Sequence, residues 1–356
     1  MTMMISIILL LITNFIATSN QQATETAHQG GDVQPSIFYD AGEPIFTAKQ
    51  FDRNIFLITQ RRLLKLEENT ANTQERNLNH SVQTNLAFVT VGSDRNNVIS
   101  CQQSADDYLR CSATSIEDLN TIAEAVLMEP SEANQINSLI GVGASLKNGY
   151  PALYVASGID GEDEFSPSAI SLRSAKTEQS FLITKPSMNL YYRKASDSKV
   201  EFIEALNYNG FTYFFGSKLR NGVSSAFIAR VCSNDTDFRS YVETNVECKQ
   251  SLNRFTFIYS NFIDSTNSGY QIFAAMTNDQ ASAVCSIDWN ALNDHLDATV
   301  RHCVVDGKGN FGLDHFRRYG DSFTKRGTNN RCTKVRRIVF FLILIFLQFL
   351  PTLYVR

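Results

Sequence analysis

Short apolar runs separated by polar turns dominate most of the chain. Many of these runs are rich in aromatic and β-branched residues, which is typical of β-strands. The runs that carry this signal are Ile55–Thr59, Leu63–Leu66, Leu86–Val91, Asn97–Cys101, Ala152–Ala156, Val200–Leu206, Phe211–Phe215, Ala226–Val231 and Tyr270–Ala275. Asn209-Gly210 joins two of them, and this dipeptide is a strong signal for a β-hairpin turn. The pattern therefore predicts many short strands linked by tight turns.

Helical signals are few. Ser115–Met128 has the pattern of a capped amphipathic helix, and Trp289–Arg301 is a second candidate. Many short strands with little helix between them predict an all-β sandwich, barrel or propeller rather than a parallel α/β sheet. The strand pattern alone does not separate these three architectures, and the sequence shows no clean repeat of fixed period.

The N-terminal residues have the pattern of a secretory signal. Ile5–Ile12 form an apolar run and 17–19 are small residues suited to cleavage, so residues 1–19 are predicted to be a signal peptide. The polar residues 20–43 are predicted to be a flexible lead-in. Asn79 and Asn234 begin sequons and are candidate glycosylation sites in an exported chain. The chain is therefore expected to be secreted or to reach the extracellular side of the plasma membrane.

The net charge of −4 hides an uneven distribution. Residues 317–337 contain eight Lys or Arg and one acidic residue, Asp321. Outside this basic segment and Arg356, the chain has 23 of its 32 basic residues and 35 of its 36 acidic residues. Nucleic-acid binding depends on basic side chains that neutralise phosphates, so the acidic body argues against a nucleic-acid partner.

A hydrophobic C-terminal tail, residues 338–355, is just long enough to span a bilayer. Its orientation conflicts with a signal peptide, because the basic segment would then lie outside the cell although such charges favour the cytosol. A GPI-attachment signal with 327–329 as the acceptor is an alternative. A tail that arises from truncation or mis-splicing of the gene is another, so membrane association through 338–355 stays open.

The sequence has no pattern of catalytic or metal-binding residues. It contains neither a G-x-S-x-G elbow nor a P-loop. His295, His302 and His315 lie near aspartates but lack the H-x-x-x-H spacing that places two imidazoles on one helix face, so surface histidines are the favoured interpretation. We therefore expect a protein that is not an enzyme and that has no cofactor and no metal.

Ile228–Cys248, with the sequence IARVCSNDTDFRSYVETNVEC, resembles a segment of plexin sema domains. In that family a hydrophobic strand ends in Arg-x-Cys, and an acidic turn and the block Phe-x-Ser-Tyr-Val-Glu lead to a second cysteine. Further segments are similar to plexin segments in the same order: Ile55–Leu66, Val98–Leu119, Ala152–Leu172 and Ala283–Asn310. The resemblance covers about Phe51 to Asp314. Semaphorins share the fold but lack the Phe-x-Ser-Tyr-Val-Glu block, so the receptor branch is favoured.

The resemblance implies a sema-type seven-bladed β-propeller over residues 44–316. In plexins this is an extracellular module that binds a semaphorin-type protein ligand in cell-surface signalling and axon guidance. The matched region ends near the fifth blade, so an incomplete propeller of about five blades is expected. An arc without a closed ring is expected to aggregate or to form a homodimer. A truncated secreted decoy or adhesion protein is the alternative, and a secreted propeller hydrolase is the least favoured one.

The chain has seven cysteines, which in an exported protein predicts disulfides with one cysteine left over. Plexins pair the cysteines that match Cys101 with Cys111 and those that match Cys248 with Cys285. The resemblance therefore implies these two disulfides. The family partner of Cys232 lies beyond the matched region, so Cys232 is expected to be free or bonded to another molecule.

Two further features are candidates for pairing or binding. Cys303 pairs with Cys332 if the basic segment folds back onto the body. The most concentrated acidic loop is a candidate partner-binding loop, and its acidic residues are Asp160, Glu162, Asp163 and Glu164. Acidic loops steer association with basic partners. Coordination of Ca²⁺ and a simple solvated turn are the alternatives for this loop.

Overall fold

The structure is a computed structural model of the 356-residue chain. It describes residues 42–67, 72–78, 86–92, 95–145, 151–160, 168–174, 189–192, 199–220, 223–233, 235–236, 238, 240–246, 256–263, 271–277, 282–306 and 316–318. Antiparallel β-sheets account for most of these residues, and two helices complete the secondary structure that is described.

The first two sheets are four-stranded and antiparallel, and their strands pair in chain order. The first sheet contains β1 (Ile45–Phe51), β2 (Asn54–Thr59), β3 (Arg62–Glu67) and β4 (Thr73–Asn77). The second contains β5 (Ala87–Val91), β6 (Asn97–Gln103), β7 (Leu109–Ser115) and β8 (Thr121–Met128). A one-turn helix, α1 (Pro130–Ala133), follows the second sheet.

The third and fourth sheets repeat this arrangement. The third contains β9 (Ile136–Ser145), β10 (Pro151–Asp160), β11 (Ser168–Ser174) and β12 (Asn189–Tyr192). The fourth contains β13 (Lys199–Tyr208), β14 (Phe211–Arg220), β15 (Val223–Cys232) and β16 (Val242–Val246). A short pairing between the end of β10 and the start of β13, at Ile159 and Val200, joins the two sheets.

The last part of the described chain forms a smaller sheet and a longer helix. The sheet contains β17 (Thr256–Ile263), β18 (Gln271–Thr277) and β19 (Ser282–Asp288). Helix α2 (Trp289–Asp306) follows β19 directly. Asp288 caps it, because its carboxylate accepts a 2.7 Å hydrogen bond from the backbone N–H of Ala291. Strand β20 (Phe316–Arg318) then pairs with β12.

The first strands of the successive sheets contact one another in order. Strand β1 contacts β5, β5 contacts β9, β9 contacts β13, and β13 contacts β17. Sheets of consecutive antiparallel strands that meet along their first strands are the blades of a β-propeller. The expected all-β propeller architecture is therefore confirmed, and the described residues form five blades. A seven-bladed ring stays a prediction.

Close contacts hold the first strands together. Gly141 on β9 faces the ring of Phe88 on β5 so closely that an added Cβ would lie 2.1 Å from the ring. The side chains of Lys49 on β1 and Glu204 on β13 form an ion pair with a 2.7 Å separation between Nζ and Oε1. This ion pair connects the first blade directly to the fourth.

One of the two helix predictions is wrong. Residues Ser115–Met128 form a turn and then strand β8, which pairs with β7. The local composition favours a helix, but pairing with β7 and the burial of Leu127 and Met128 in the core favour the strand. The second prediction, Trp289–Arg301, is confirmed by α2, and the Asn209-Gly210 hairpin joins β13 to β14 as expected.

Candidate functional site

The segment that most specifically resembles plexins connects β15 to β16 in the fourth blade. Ser240 fixes the shape of this connection. Its Oγ accepts a 2.9 Å hydrogen bond from the backbone N–H of Cys232 and donates a 2.6 Å hydrogen bond to Asp235 Oδ2. The backbone N–H of Ser240 donates to the same carboxylate oxygen, also at 2.6 Å. These three residues close the connection into a compact turn.

Tyr154 holds this turn from the third blade. It is fully buried on β10, and its hydroxyl lies 3.3 Å from the carbonyl oxygen of Cys232 and 3.1 Å from that of Asp235. Its ring packs edge-on against Phe214 and Phe238, with centroid distances of 6.1 and 5.7 Å. Burial raises the pKa of Tyr154 well above its ordinary value, so the hydroxyl stays protonated and remains a donor.

A buried ion pair stabilises the C-terminal end of the same block. Glu243 on β16 and Lys218 on β14 have 0% and 6% exposed side chains, and Nζ lies 3.7 Å from Oε1. The Tyr241 hydroxyl donates a 2.9 Å hydrogen bond to the other carboxylate oxygen of Glu243. The ammonium of Lys218 also lies 5.3 Å from the ring centroid of Phe227. Each charge therefore has partners inside the blade.

The Phe-x-Ser-Tyr-Val-Glu block is thus a structural element of the propeller. Four of its members are buried, namely Phe238, Tyr241, Val242 and Glu243. Phe238 also adopts a positive φ of 53°, which its packing against Tyr154 in the core stabilises. The block fixes the shape of the fourth blade rather than forming a surface for a ligand.

Helix α2 is attached to the fourth blade through Arg230. This β15 residue is 4% exposed, and its Nη1 donates a 2.9 Å hydrogen bond to Asn293 Oδ1. Its Nη2 donates to the Asp297 carboxylate one turn further along the helix. The guanidinium carbon lies 4.4 Å from the ring centroid of Phe211. The arginine therefore connects a strand, a ring and two helix side chains.

Aromatic side chains complete the contact between the helix and the blade. Tyr213 donates a 2.7 Å hydrogen bond to the same oxygen of Asn293, and its ring lies 4.4 Å from that of Trp289. Trp289 also packs edge-on against Tyr208 at 5.1 Å. Burial raises the pKa of Tyr213 to about 12. The positive charge of the nearby Arg230 acts in the opposite direction but has a smaller influence on this pKa. This cluster could not be predicted from the sequence, because its members are far apart along the chain.

The structure joins Cys101 and Cys111, as expected, in a disulfide between directly opposite positions of β6 and β7. Cys285 is disulfide-bonded as well. Its expected partner, Cys248, lies outside the described residues, so that pairing stays a prediction. Cys232 is a free cysteine.

Many of the other predicted features lie outside the described residues. These are the signal peptide (1–19), the tail (338–355), the sequons at Asn79 and Asn234, the acidic residues Glu162, Asp163 and Glu164, and Cys332. Cys303 belongs to α2, but its side chain is not described. Asp160 ends β10, where its Cα lies opposite that of Lys199 on β13. The roles proposed for these residues stay predictions.

The described residues contain no cluster of three or more His, Cys, Asp and Glu side chains arranged to bind a metal ion. His295 and His302 are exposed on α2. Within the same described ranges, no helix combines the length and apolar character needed to cross a membrane.

Comparison with known sequences points to plexins. No family model matches the chain. The chain is similar to plexin-A4 of Homo sapiens and of Mus musculus, and it is 24% identical to each over 168 residues. The match covers 40% of this chain and only 9% of each plexin-A4, so the chain corresponds to a small part of these relatives. The chain is therefore a β-propeller protein with a weak similarity to plexin-A4 over part of its length.

The solved structures that resemble this chain do so only weakly, both in structure and in sequence. The N-terminal domain of Nup159 has a TM-score of 0.34 and 12% identity, covering 66% of this chain and 63% of that one. The AfRom2 CNH domain has a TM-score of 0.33 and 11% identity, covering 69% and 81%. The Neurospora crassa Pan2 WD40 domain has a TM-score of 0.34 and 9% identity, covering 69% and 65%.

Proposed function

We propose that this chain is an extracellular protein-interaction module that binds a semaphorin-type protein ligand and has no catalytic activity. The similarity to plexin-A4 is the observation that carries the proposal. The propeller fold supports it, because a propeller presents loops from several blades on a rigid scaffold, and such loops serve in binding. The buried network around Glu243 supports it further, since it makes the fourth blade a rigid part of that scaffold.

The proposal is tested by measuring the binding of semaphorins to the full chain. The chain is produced in a secretory expression system, immobilised and exposed to a panel of purified semaphorin ectodomains in surface plasmon resonance. An unrelated secreted propeller serves as the reference surface. We expect saturable binding of at least one semaphorin. Absence of specific binding across the whole panel, by a chain that melts cooperatively, would overturn the proposal.

The acidic loop supplies a sharper form of the same test. In a triple variant with Glu162→Gln, Asp163→Asn and Glu164→Gln, we expect a slower association rate that depends less on salt concentration, because acidic loops steer encounter more than they add affinity. Glu201→Gln is the matched control, since Glu201 is an exposed acid on β13. An unchanged association rate in the triple variant would remove the loop from the binding surface without contradicting semaphorin binding itself.

A further inference from the structure

A cleft of about 270 Å³ lies between the first and second blades. One wall comes from β4 and the residue after it, and the other wall comes from strands β6, β7 and β8. Its polar and charged lining consists of Arg76, Ser100, Gln102, Arg110, Ser112 and Glu124. Leu78 and Val126 add apolar surface. Pockets that bind small groups combine an apolar lining with a few convergent polar side chains in this way.

Arg76 is the central residue of the cleft. Its Nη2 donates a 3.0 Å hydrogen bond to Glu124 Oε1, and its side chain is only 14% exposed. Its Nη1 is buried and has no acceptor among the described residues. A buried guanidinium N–H without an acceptor is unfavourable, and a carboxylate supplies both an acceptor and the opposite charge. The Arg76 side chain also lines the cleft, so its guanidinium is available to pair with an anionic oxygen that binds there.

The opposite wall offers a second cation whose position is fixed. Arg110 donates a 2.7 Å hydrogen bond from Nη2 to Asp106 and a 3.3 Å hydrogen bond from Nε to Ser104, and its guanidinium lies 5.0 Å from the Tyr108 ring centroid. These contacts hold the guanidinium in place at the cleft. An anion that enters the cleft therefore meets a cation from each blade.

Two serine hydroxyls provide a further donor. Ser100 on β6 and Ser112 on β7 lie opposite each other, with 2.9 Å between their oxygens. One hydroxyl donates to the other, so the second hydrogen of the pair can donate to a ligand. A site with guanidinium and hydroxyl donors that converge on a small volume matches the acceptor-only chemistry of an ionised carboxylate.

The charged groups and the volume of the cleft limit the kinds of anion that it can bind. Two guanidiniums and one carboxylate, that of Glu124, line it. Each guanidinium is already paired with a carboxylate, Arg76 with Glu124 and Arg110 with Asp106, so a bound anion competes with these two acids. A planar carboxylate matches the paired N–H donors of a guanidinium, which permits a bidentate contact. The volume also favours a group of a few atoms over a drug-sized ligand.

We propose that the cleft between the first two blades is a carboxylate-binding site in which Arg76 makes the main contact. The carboxylate comes either from an aspartate or glutamate side chain of a bound polypeptide or from a small free acid. Both sources present the same chemistry to the cleft. The site does not depend on semaphorin binding, because it is built from the side chains of blades one and two alone.

Isothermal titration of the full chain at constant ionic strength tests this site. The probes are glutarate and a capped peptide with a single glutamate, and the neutral controls are glutaramide and the same peptide with glutamine. We expect an acidic probe to bind and its neutral control not to bind. In Arg76→Gln, the affinity should fall at least about tenfold, which corresponds to about 1.4 kcal/mol. Arg53→Gln, at an exposed position in the β1–β2 turn, is the matched control and should bind as the wild type does.

Glu124→Gln separates loss of the site from loss of the fold. This variant removes the carboxylate that competes for Arg76, so it should bind the acidic probe more tightly than the wild type, and a damaged fold cannot produce that gain. Binding of the peptide alone would assign the site to a polypeptide side chain, and binding of glutarate alone would assign it to a free acid. No binding of either acid, or equal affinities in the wild type and Arg76→Gln, would overturn the proposal.

Discussion

Two strand arginines, Arg230 on β15 and Arg76 on β4, have different surroundings. Each pairs with a carboxylate that is itself well exposed: Asp297 is 63% exposed and Glu124 is 42% exposed. Arg230 is covered by helix α2 and by Phe211, whereas Arg76 borders an open cleft. The difference shows that the role of a strand arginine depends on whether other parts of the fold cover its guanidinium. A covered arginine attaches parts of the fold to each other, and one that faces a cleft is available to a ligand.

Both guanidiniums keep one buried nitrogen without an acceptor in the described part of the chain, Nε of Arg230 and Nη1 of Arg76. Arg76 lines the cleft between the first two blades. The groove beside α2 is lined by helix residues instead, namely Asp294, Asp297, Ala298, Arg301 and His302. A buried donor without an acceptor therefore does not by itself indicate a binding site.

The largest loss of stability is expected from a substitution in the fourth blade, where both partners of an ion pair are buried. Glu243→Ala leaves Lys218 buried without its carboxylate, so we expect the free energy of unfolding to fall by about 3–5 kcal/mol. The midpoint of urea unfolding measures this loss, with Glu201→Ala at an exposed position as the control.

In the cleft, Glu124→Ala should cost less than about 1 kcal/mol because Glu124 is half-exposed. Equal losses at the two glutamates would contradict the comparison.

The resemblance to plexins identified the block around Glu243 in the sequence. It did not explain why the block contains these residues. Lys218 and Tyr154, which pair with the block or hold it, lie on strands far from it along the chain. Contacts of this kind depend on how the blades pack, and strand patterns do not encode that packing. The Asn209-Gly210 turn was predictable because its signal is local, and both residues adopt the positive φ values, 49° and 80°, that such a turn requires.

The incorrect prediction of a helix at Ser115–Met128 has the same cause, namely strand packing that the local sequence does not reveal. Ala, Glu, Leu and Met in this segment favour a helix locally, yet the segment forms the last strand of the second blade. Glu124 on that strand reaches Arg76 of the first blade, so the candidate site depends on the pairing that the local pattern concealed. The cleft could not be predicted from the sequence for this reason. The Cys101–Cys111 pair could, because it was carried by a family resemblance.

The next largest effect concerns the second blade, which forms one wall of the cleft. A double variant with Cys101→Ser and Cys111→Ser removes a cross-link between residues separated by 10 positions. The loop-entropy argument gives a loss of about 2–3 kcal/mol in the free energy of unfolding. Thermal unfolding of the variant against the wild type measures it. We also expect weaker binding of glutarate, since Cys111 lines the cleft. A variant as stable as the wild type would show that strand pairing alone holds this blade.

The two arginines are compared directly by matched substitutions. Arg230→Met removes hydrogen bonds to Asn293 and Asp297, and hydrogen bonds of charged groups contribute about 1.5–3 kcal/mol each. Because both acceptors are part-exposed and regain water, we expect a total loss of about 2 kcal/mol and faster proteolysis of α2. Arg76→Met should change the unfolding free energy by less than about 1 kcal/mol, because it removes an ion pair whose carboxylate is 42% exposed and a donor without an acceptor. The opposite order of losses would reverse the roles assigned to the two residues.

The smallest effect is a pH dependence in the helix-covered region. The pKa of Tyr213 is raised from 10.0 to about 12 by burial, so the folded state keeps its proton where the unfolded state loses it. The resulting stabilisation is fully present below pH 10 and is lost as the pH rises from 10 towards 12. At neutral pH, Tyr213→Phe should cost about 1 kcal/mol through the lost hydrogen bond to Asn293.

The alkaline part of this prediction has a local reporter. Trp289 is the single tryptophan of the chain, and its ring lies 4.4 Å from that of Tyr213. A tyrosinate at that distance quenches tryptophan emission, and Tyr208 also packs against Trp289 at 5.1 Å. The measurement therefore uses Tyr208→Phe, in which the emission should stay constant up to pH 10 and fall as the pH approaches 12. Adding Tyr213→Phe should make the fall much smaller, and the stability advantage of the wild type over Tyr213→Phe alone should shrink over the same pH range. Quenching with a midpoint at pH 10 in folded Tyr208→Phe would mean that water reaches Tyr213, and that α2 does not cover the fourth blade as closely as the contacts of Arg230 require.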